Sequence, residues 1–429
     1  MKIENLADKK ILVLGLGREG IDTVKFLKKI FPGKSFGVAD QKKISHPSLN
    51  GIMDQHFGKN YLKHIKDYEV IIKTPGIPQK LIKPFVKKQI ITSQIKIFLD
   101  NCPGKIIGIT GTKGKSTTTS LIYAILKKAG KSVHLVGNIG KPVLGLLPAS
   151  TKKDIYVYEM SCHQLSDLEK SPHIAVFLNV YPEHLDYYKN FKDYAKAKSN
   201  IFIHQTRKDY LIFNSKNKIV KDFAKKAKAK KIDLNSIELN FKNIPLKGKF
   251  NLQNIQSAIV VANIFNIPKT KIGKAISSFK PLSHRLEYVG QFQGIHFYND
   301  SLSTIPEAAI GALNALTNVQ TMIVGGFDRG LSFKGLAKKI SKSNVRTLIL
   351  FPKTGEKIWK EVEKLKNKGI KHFFTKNMKK AVQLCYKYTE KNSICLMSNA
   401  SPSFGIFKDY VERGDLFKKH IKEYDKNHK

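Results

Sequence analysis

Short apolar runs recur along the chain, and most end at glycine or a polar residue and give way to helical spacing. Ile11–Leu14 meets Gly15, Gly17 and Gly20, then a stretch with Val24 and Leu27 on one face. The segment from Ser35 to Ala39 ends at Asp40, Val70–Ile72 runs into Thr74-Pro75-Gly76, and Ile90 and Ile91 precede an apolar helix from Ile95 to Leu99. The same alternation resumes at Ile106–Ile109, whose loop leads to a helix carrying Leu121, Ile122, Ile125 and Leu126 inward. Further strands are expected at 133–136, 155–159 and 174–179, and helices at 193–203 and 248–262. A last group comprises alternating strands at 286–289 and 295–298, a helix from Pro306, strands at 321–324, 347–351, 372–374 and 393–397, and a closing helix around 408–420. Continuous apolar strands alternating with helical periods predict parallel sheets, with ligands at the carboxyl ends of the strands.

Two breaks divide this pattern. Asn101-Cys102-Pro103-Gly104 reads as a linker, and 281–285 as a second joint. The expected architecture is α/β in three domains: a Rossmann-like N-terminal domain over 1–100, a central phosphate-loop mononucleotide-binding domain with a parallel sheet over 101–281, and a Rossmann-like C-terminal domain over 282–429. Residues 215–245 are lysine-rich and poorly patterned, and are expected to form a peripheral excursion.

The candidate chemistry centres on 105–126, KIIGITGTKGKSTTTSLIYAIL. Strand, glycine loop and helix are the setting of a phosphate-binding loop, in which backbone N–H groups turn inward and a helix N-terminus adds partial positive charge. Gly111, Thr112, Lys113, Gly114, Lys115, Ser116 and Thr117 form that loop, with Gly108 read as its first glycine. Lys115 is placed to reach the β- and γ-phosphates of ATP, and the Ser116 hydroxyl to ligate Mg²⁺. Asn138, Glu159 and His184 fall at the ends of neighbouring strands, where they would share the site. The N-terminal G-x-G-x-x-G with Asp40 raises an NAD site, though other nucleotides use the same turn.

Composition changes this picture little. Of 76 basic residues six are arginine, which leaves 70 lysines, and the formal net charge is +43. The lysines are dispersed, and arginine is the better bidentate reader of phosphates and bases, so no dedicated nucleic-acid role is expected. Four cysteines without a CxxC pair argue against a disulfide framework or a zinc site. No apolar run approaches the roughly 20 residues of a membrane span. The expectation is a cytoplasmic monomer with no membrane span.

The ordered motifs resemble the Mur ligases of peptidoglycan synthesis over essentially the whole chain. They are GITGTKGKST, GNIG at 137–140, YEMSCHQL, NVYPEHLD, YAKAKSNIF, FNLQN, HRLE, YNDS, GGFDRG and SPSFGIFKDYVERGDLF. The resemblance implies an ATP-dependent ligase that phosphorylates the carboxylate of UDP-N-acetylmuramoyl-L-alanine and lets the amine of D-glutamate attack the acyl phosphate. It makes the N-terminal domain a UDP-binding domain rather than an NAD site, with Gly17, Arg18 and Thr74 as candidate contacts. It implies two Mg²⁺ ions, held by Ser116 and Glu159 and by His184 and Lys198, with Lys198 carbamylated. Lys115, Glu159, His184 and Lys198 become the catalytic set. Asn254, Arg285 and Asp300 become ATP contacts, Asn138 a substrate contact, and Thr304, Arg329, Ser403 and Tyr410 the D-glutamate pocket. Ser403 is equally placed to cap the helix that follows it.

The chain departs from the family's pattern at NDSLSTI, where Leu302 and Ile305 replace polar residues, and at Gln94-Ile95-Lys96 in place of an acidic string. Arg329 stands where lysine is usual and Tyr410 where phenylalanine is common. These differences bear on the amino acid added rather than on the reaction class. Two other readings stay open: a related ligase adding a different amino acid, and a basic binding protein with a relict loop.

Overall fold

The computed structural model describes all residues except 184–186, 239–245, 247–248, 366–368 and 429, and the backbone alone at 249–250. Among the described residues the strands form three sheets. The first contains β1 (Ile11–Leu14), β2 (Gly37–Asp40), β3 (Gln55–Phe57), β4 (Val70–Lys73) and β5 (Ile90–Thr92), in the order β3-β2-β1-β4-β5. The second contains β6 (Lys105–Thr110), β7 (Val133–Gly137), β8 (Ile155–Glu159), β9 (Ile174–Phe177), β10 (Tyr210–Phe213) and β11 (Lys230–Asp233), in the order β11-β10-β9-β6-β8-β7. The third contains β12 (Glu287–Phe292), β13 (Ile295–Asn299), β14 (Val319–Gly325), β15 (Thr347–Phe351), β16 (Lys371–Phe374) and β17 (Ile394–Met397), in the order β12-β13-β17-β14-β15-β16. All pairings are parallel except β12 with β13. Central strands such as β1, β6, β9 and β14 are buried nearly throughout, as a sheet covered on both faces requires.

The chain packs as two bodies, Met1–Phe241 with Gln253–Ile276 and Lys242–Leu252 with Ser277–Lys429. The first two sheets share one apolar cluster, in which Leu16, Val24, Ile95 and Phe98 meet Val143, Leu144, Tyr156 and Tyr158. Polar contacts join them as well. The Asp22 carboxylate accepts from the Leu144 and Gly145 N–H groups at 3.1 and 3.2 Å and from the Gln94 amide at 2.9 Å. Gln94, one of the departures from the acidic string, also accepts from the Val143 N–H at 3.5 Å across this junction.

Several expectations change. Gly108 lies inside β6, not in the loop; a Cβ there would stand 2.6 Å from Pro172 Cγ and 2.9 Å from Met160 Sδ, so close packing demands glycine. The lysine-rich 215–245 stretch is not merely peripheral: it contains a helix, Lys218–Ala224, and β11, which extends the second sheet beside β10. An edge strand needs only one paired side, so KKID joins the sheet despite its polarity. The closing helix runs Tyr410–Asn427, and its cap is Asp409, which accepts from the Val411 and Glu412 N–H groups, each at 2.9 Å, rather than Ser403. Among the described residues no helix is long and apolar enough to cross a membrane.

The turn after β1 is the tightest of the N-terminal sheet. Gly15 has φ +91°, and a Cβ on Gly20 would lie 1.9 Å from the Gly15 carbonyl oxygen. We expect Gly20→Ala to lower stability by about 1–3 kcal/mol, read as a fall in denaturation midpoint.

Candidate active site

The site in the first body is built at the point where β6 and β9 send their connections to opposite sides, the crevice in which open α/β sheets bind ligands. The loop after β6 turns at Gly114, φ +87°, into the helix Lys115–Lys128, and the cap has no side chain to compete for the N–H groups of the first turn. A Cβ on Gly114 would come within 2.3 Å of Asn254 Oδ1, so the loop is fitted against the helix Lys249–Ile264. Asn254 also accepts from the Thr118 hydroxyl at 3.1 Å.

The other wall is Asn179, just after β9. Its side chain accepts from the Lys113 N–H at 2.8 Å and donates to the Lys113 carbonyl at 3.0 Å, while its own carbonyl accepts from the Thr112 N–H. Thr112 Oγ1 lies 3.0 Å from the Tyr194 hydroxyl and accepts from the Tyr181 N–H at 2.9 Å. These hydrogen bonds to protein partners hold the loop in shape.

Three ammonium groups gather there. Lys115 Nζ donates to the carbonyls of Gly111 and Thr112 at 3.0 and 3.1 Å, and Lys198 Nζ donates to the same Gly111 oxygen at 2.9 Å. Lys113 Nζ lies 3.4 Å from Glu183 Oε1. Lys198 is only 1% exposed, its ammonium 4.8 Å from the Tyr194 ring centroid. Burial, with the like charges of Lys115 and Lys113, lowers its pKa to about 8 against the opposing pull of Cys162 and Glu183. Next to it, burial pushes the Cys162 thiol up, but the His163 hydrogen bond and the Lys198 charge outweigh this and bring it to about 7.

Glu159 ends β8, beside β6, and is 4% exposed. Its Oε2 is buried and, among the described residues, has no hydrogen-bond partner. A buried carboxylate oxygen without a donor needs a cation or a proton, so the residues present suit a divalent ion bound by oxygen ligands next to Ser116. His184, the remaining expected ligand, lies outside the described residues.

At the N-terminal sheet, a Cβ on Gly17 would meet nothing within 4 Å, so that turn is open. Thr74 packs on Gly15 and donates to the Leu14 carbonyl. Arg18 donates to the carbonyls of Gly137 and Gly140 at 2.6 and 3.1 Å, which fastens the GNIG turn carrying exposed Asn138. Asp40 accepts from the Leu16 and Lys42 N–H groups at 2.7 and 2.9 Å, so both oxygens help to build the turn.

In the second body, the expected residues collect at the carboxyl ends of β13, β14 and β17. Asp300 accepts from the Leu286 N–H at 3.1 Å and the Ser398 hydroxyl at 2.7 Å. Arg285, half-buried, follows His284, whose ring nitrogen lies 3.0 Å from the Asn299 amide. The Arg329 guanidinium sits 5.9 Å from the Phe404 ring centroid, and Phe404 meets exposed Phe327 edge-on. Ser403 is buried and accepts from the Phe407 N–H, Thr304 is half-buried, and the Tyr410 carbonyl accepts from the Ser301 hydroxyl at 2.7 Å.

Fold and loop define an α/β nucleotide-binding protein. The sequence profile of the Mur ligase middle domain matches residues 109–243. A UDP-N-acetylmuramoylalanine–D-glutamate ligase of Acetivibrio thermocellus is 31% identical, covering 97% of this chain and 96% of the relative. The ligase of the same name from Caldicellulosiruptor bescii is 32% identical over 98% of each. Among solved structures, a MurF ligase of Thermotoga maritima in complex with ADP superposes with a TM-score of 0.61 at 15% identity, over 99% of this chain and 98% of the other. The chain belongs to the Mur ligase family, in its UDP-N-acetylmuramoylalanine–D-glutamate ligase branch.

The depressed pKa of Lys198 has a checkable consequence. The unfolded chain holds this proton up to the ordinary lysine value near 10.5, the folded chain only to about 8. Charged Lys198 therefore costs stability below pH 8, and the cost is relieved between pH 8 and 10.5. Without metal, wild type should gain stability relative to Lys198→Met over that interval, by roughly 1.4 kcal/mol per pH unit at most, as read from paired denaturation curves.

Proposed function

We propose that the chain is an ATP-dependent ligase that joins D-glutamate to UDP-N-acetylmuramoyl-L-alanine in peptidoglycan precursor synthesis. The observation that carries this reading is near-full-length similarity, at 31 and 32% identity, to two ligases of that name, in a chain that keeps the lysine-lined loop after β6.

A carboxylate is a poor electrophile, so the reaction needs a leaving group. A carboxylate oxygen of the UDP-linked substrate attacks the γ-phosphorus of ATP, the bond to ADP breaks, and an acyl phosphate forms. The D-glutamate nitrogen then attacks the acyl carbon, loses a proton, and phosphate leaves as the amide forms. Catalysis of the first step is positioning and charge stabilisation. Lys115 swings from the loop carbonyls to the β- and γ-phosphates, the loop N–H groups hold them, and Thr117 closes the first helical turn. Asn254 fixes Gly114, and with it the loop. Arg285 and Asp300 are further ATP contacts. Mg²⁺ held by Ser116 and Glu159, with a second ion at His184 and Lys198, would neutralise charge on the transferring phosphoryl group. Lys198 suits this role as a carbamate: with a pKa of about 8 its neutral amine adds CO₂ and releases a proton, replacing a cation by an anion. Gly17, Arg18, Thr74 and Asn138 receive the UDP-linked substrate. Thr304, Arg329, Ser403 and Tyr410 take D-glutamate, the Arg329 fork suiting a carboxylate.

Phosphate release with Mg-ATP, UDP-N-acetylmuramoyl-L-alanine and a panel of amino acids tests the proposal. D-Glutamate should support release; release with another amino acid alone would keep the chemistry and reject the substrate. Glu159→Ala should lower kcat by about a hundredfold or more. Stripping CO₂ from the buffer should slow the wild type, and bicarbonate should restore it; indifference would reject the carbamate.

A further inference from the structure

Arg413, on the helix Tyr410–Asn427, is among the largest fully buried side chains of the protein and is 0% exposed. All its hydrogen bonds go to neutral oxygens: Nε donates to Ser301 Oγ at 3.0 Å, Nη2 to the Ser301 carbonyl at 2.6 Å and Nη1 to the Ser401 carbonyl at 3.1 Å. Among the described residues no carboxylate lies within ion-pairing distance of it. Asp300 acts on it only at longer range, and the carboxylate oxygens of Asp300 accept from Leu286 and Ser398 instead. A buried cation with no paired anion is costly to keep, and Arg413 spends that charge at the carboxyl ends of three strands. It ties the loop after β13 to the loop after β17, and a Cβ on Gly326, after β14, would stand 3.4 Å from its Nη1. Every residue proposed for the amino-acid pocket hangs on these loops. Thr304 follows Ser301, Arg329 follows Gly326, Ser403 follows Ser401, and the Tyr410 carbonyl accepts from the Ser301 hydroxyl that Arg413 holds.

We infer that Arg413 is a positioning and specificity residue for the amino-acid substrate: its buried charge, clamped between the loops after β13 and β17, makes their pocket select an amino acid of net negative charge. The inference rests on the D-glutamate reading given above. A dicarboxylate with one ammonium adds net negative charge near Arg413, whereas a neutral amino acid leaves it only the longer-range field of Asp300. Arg329, half-buried at the edge of the same loops, is a contact; Arg413 acts through the loops and through its field.

The test compares wild type, Arg413→Lys and Arg413→Met. Wild-type turnover with D-glutamate establishes the underlying reading, and the variants then examine position 413 alone. Arg413→Met should raise KM for D-glutamate about tenfold or more, with KM for ATP and for the UDP-linked substrate changed less than about twofold. Arg413→Lys keeps the charge but loses the three-way fork, so at pH 7 its D-glutamate KM should stay within about threefold of wild type. A buried lysine releases its proton at lower pH than arginine, so that KM should climb relative to wild type between pH 7 and 9. The other titratable groups about this site are Asp300, His284 beside Gly414, Asp328, and Asp409, Glu412 and Asp415 on the same helix. They are common to both proteins, so the ratio isolates position 413. Should Arg413→Met not fold, the pH-dependent ratio of Arg413→Lys decides alone. A pH-independent ratio, equal losses in the two variants, an equal rise in all three KM values, or a wild type that prefers a neutral amino acid would each overturn the inference.

Discussion

The first body is organised around one backbone oxygen. The Gly111 carbonyl accepts from both Lys115 and Lys198, so two ammonium groups stand within a few ångströms of each other in a buried loop. Like charges in that setting repel, and this adds to burial, the larger cause, in depressing the pKa of Lys198. The scaffold tolerates this because Asn179, Thr112 and Asn254 hold the loop independently of the lysines. Glu159, with an oxygen that no donor among the described residues meets, presents the opposite deficit one strand away. The two features are opposite in charge: ammonium groups crowd the loop, and a buried carboxylate ends the neighbouring strand.

The second body repeats the principle with the guanidinium of Arg413. There too a charge is kept away from water while its hydrogen-bonding capacity is spent on neutral loop oxygens. Hydrogen bonds to carbonyls satisfy the donors without cancelling the charge. Geometry and field are thereby separated: the loops are fixed before any substrate arrives, and the potential remains to be used.

Much of this was legible in the chain. Continuous apolar strands and helical periods located most elements of the three sheets, and the glycine loop with Lys115 and Ser116 announced itself by strand, loop and helix in succession. What stayed hidden depended on packing. Gly108 looks like loop glycine until Pro172 and Met160 are seen against it. β11 was obscured by lysine, because an edge position asks little of apolar pattern. Asn179 was visible only as a strand end, although an asparagine closing a buried strand beside a phosphate loop was the available signal. Arg413 sat unread within a recognised motif, since a lone arginine among charged helix residues carries no mark of burial.

Burial alone does not identify a functional lysine, and Lys73 shows why. It is 4% exposed at the end of β4, and burial lowers its pKa as it does that of Lys198. Its partners, however, are the Ile77 and Thr74 carbonyls of its own turn, at 3.0 and 3.4 Å, and the charges that act on it include the opposing carboxylates of Asp167 and Glu19. That environment is closed: the turn is made and the charge is offset by the protein. Around Lys198 the charges include two further lysines, Lys113 and Lys115, opposed by Cys162 and Glu183, on a loop whose shape is already fixed. Among 70 lysines spread over the chain, a site is marked by a charge that the fold positions and leaves unbalanced.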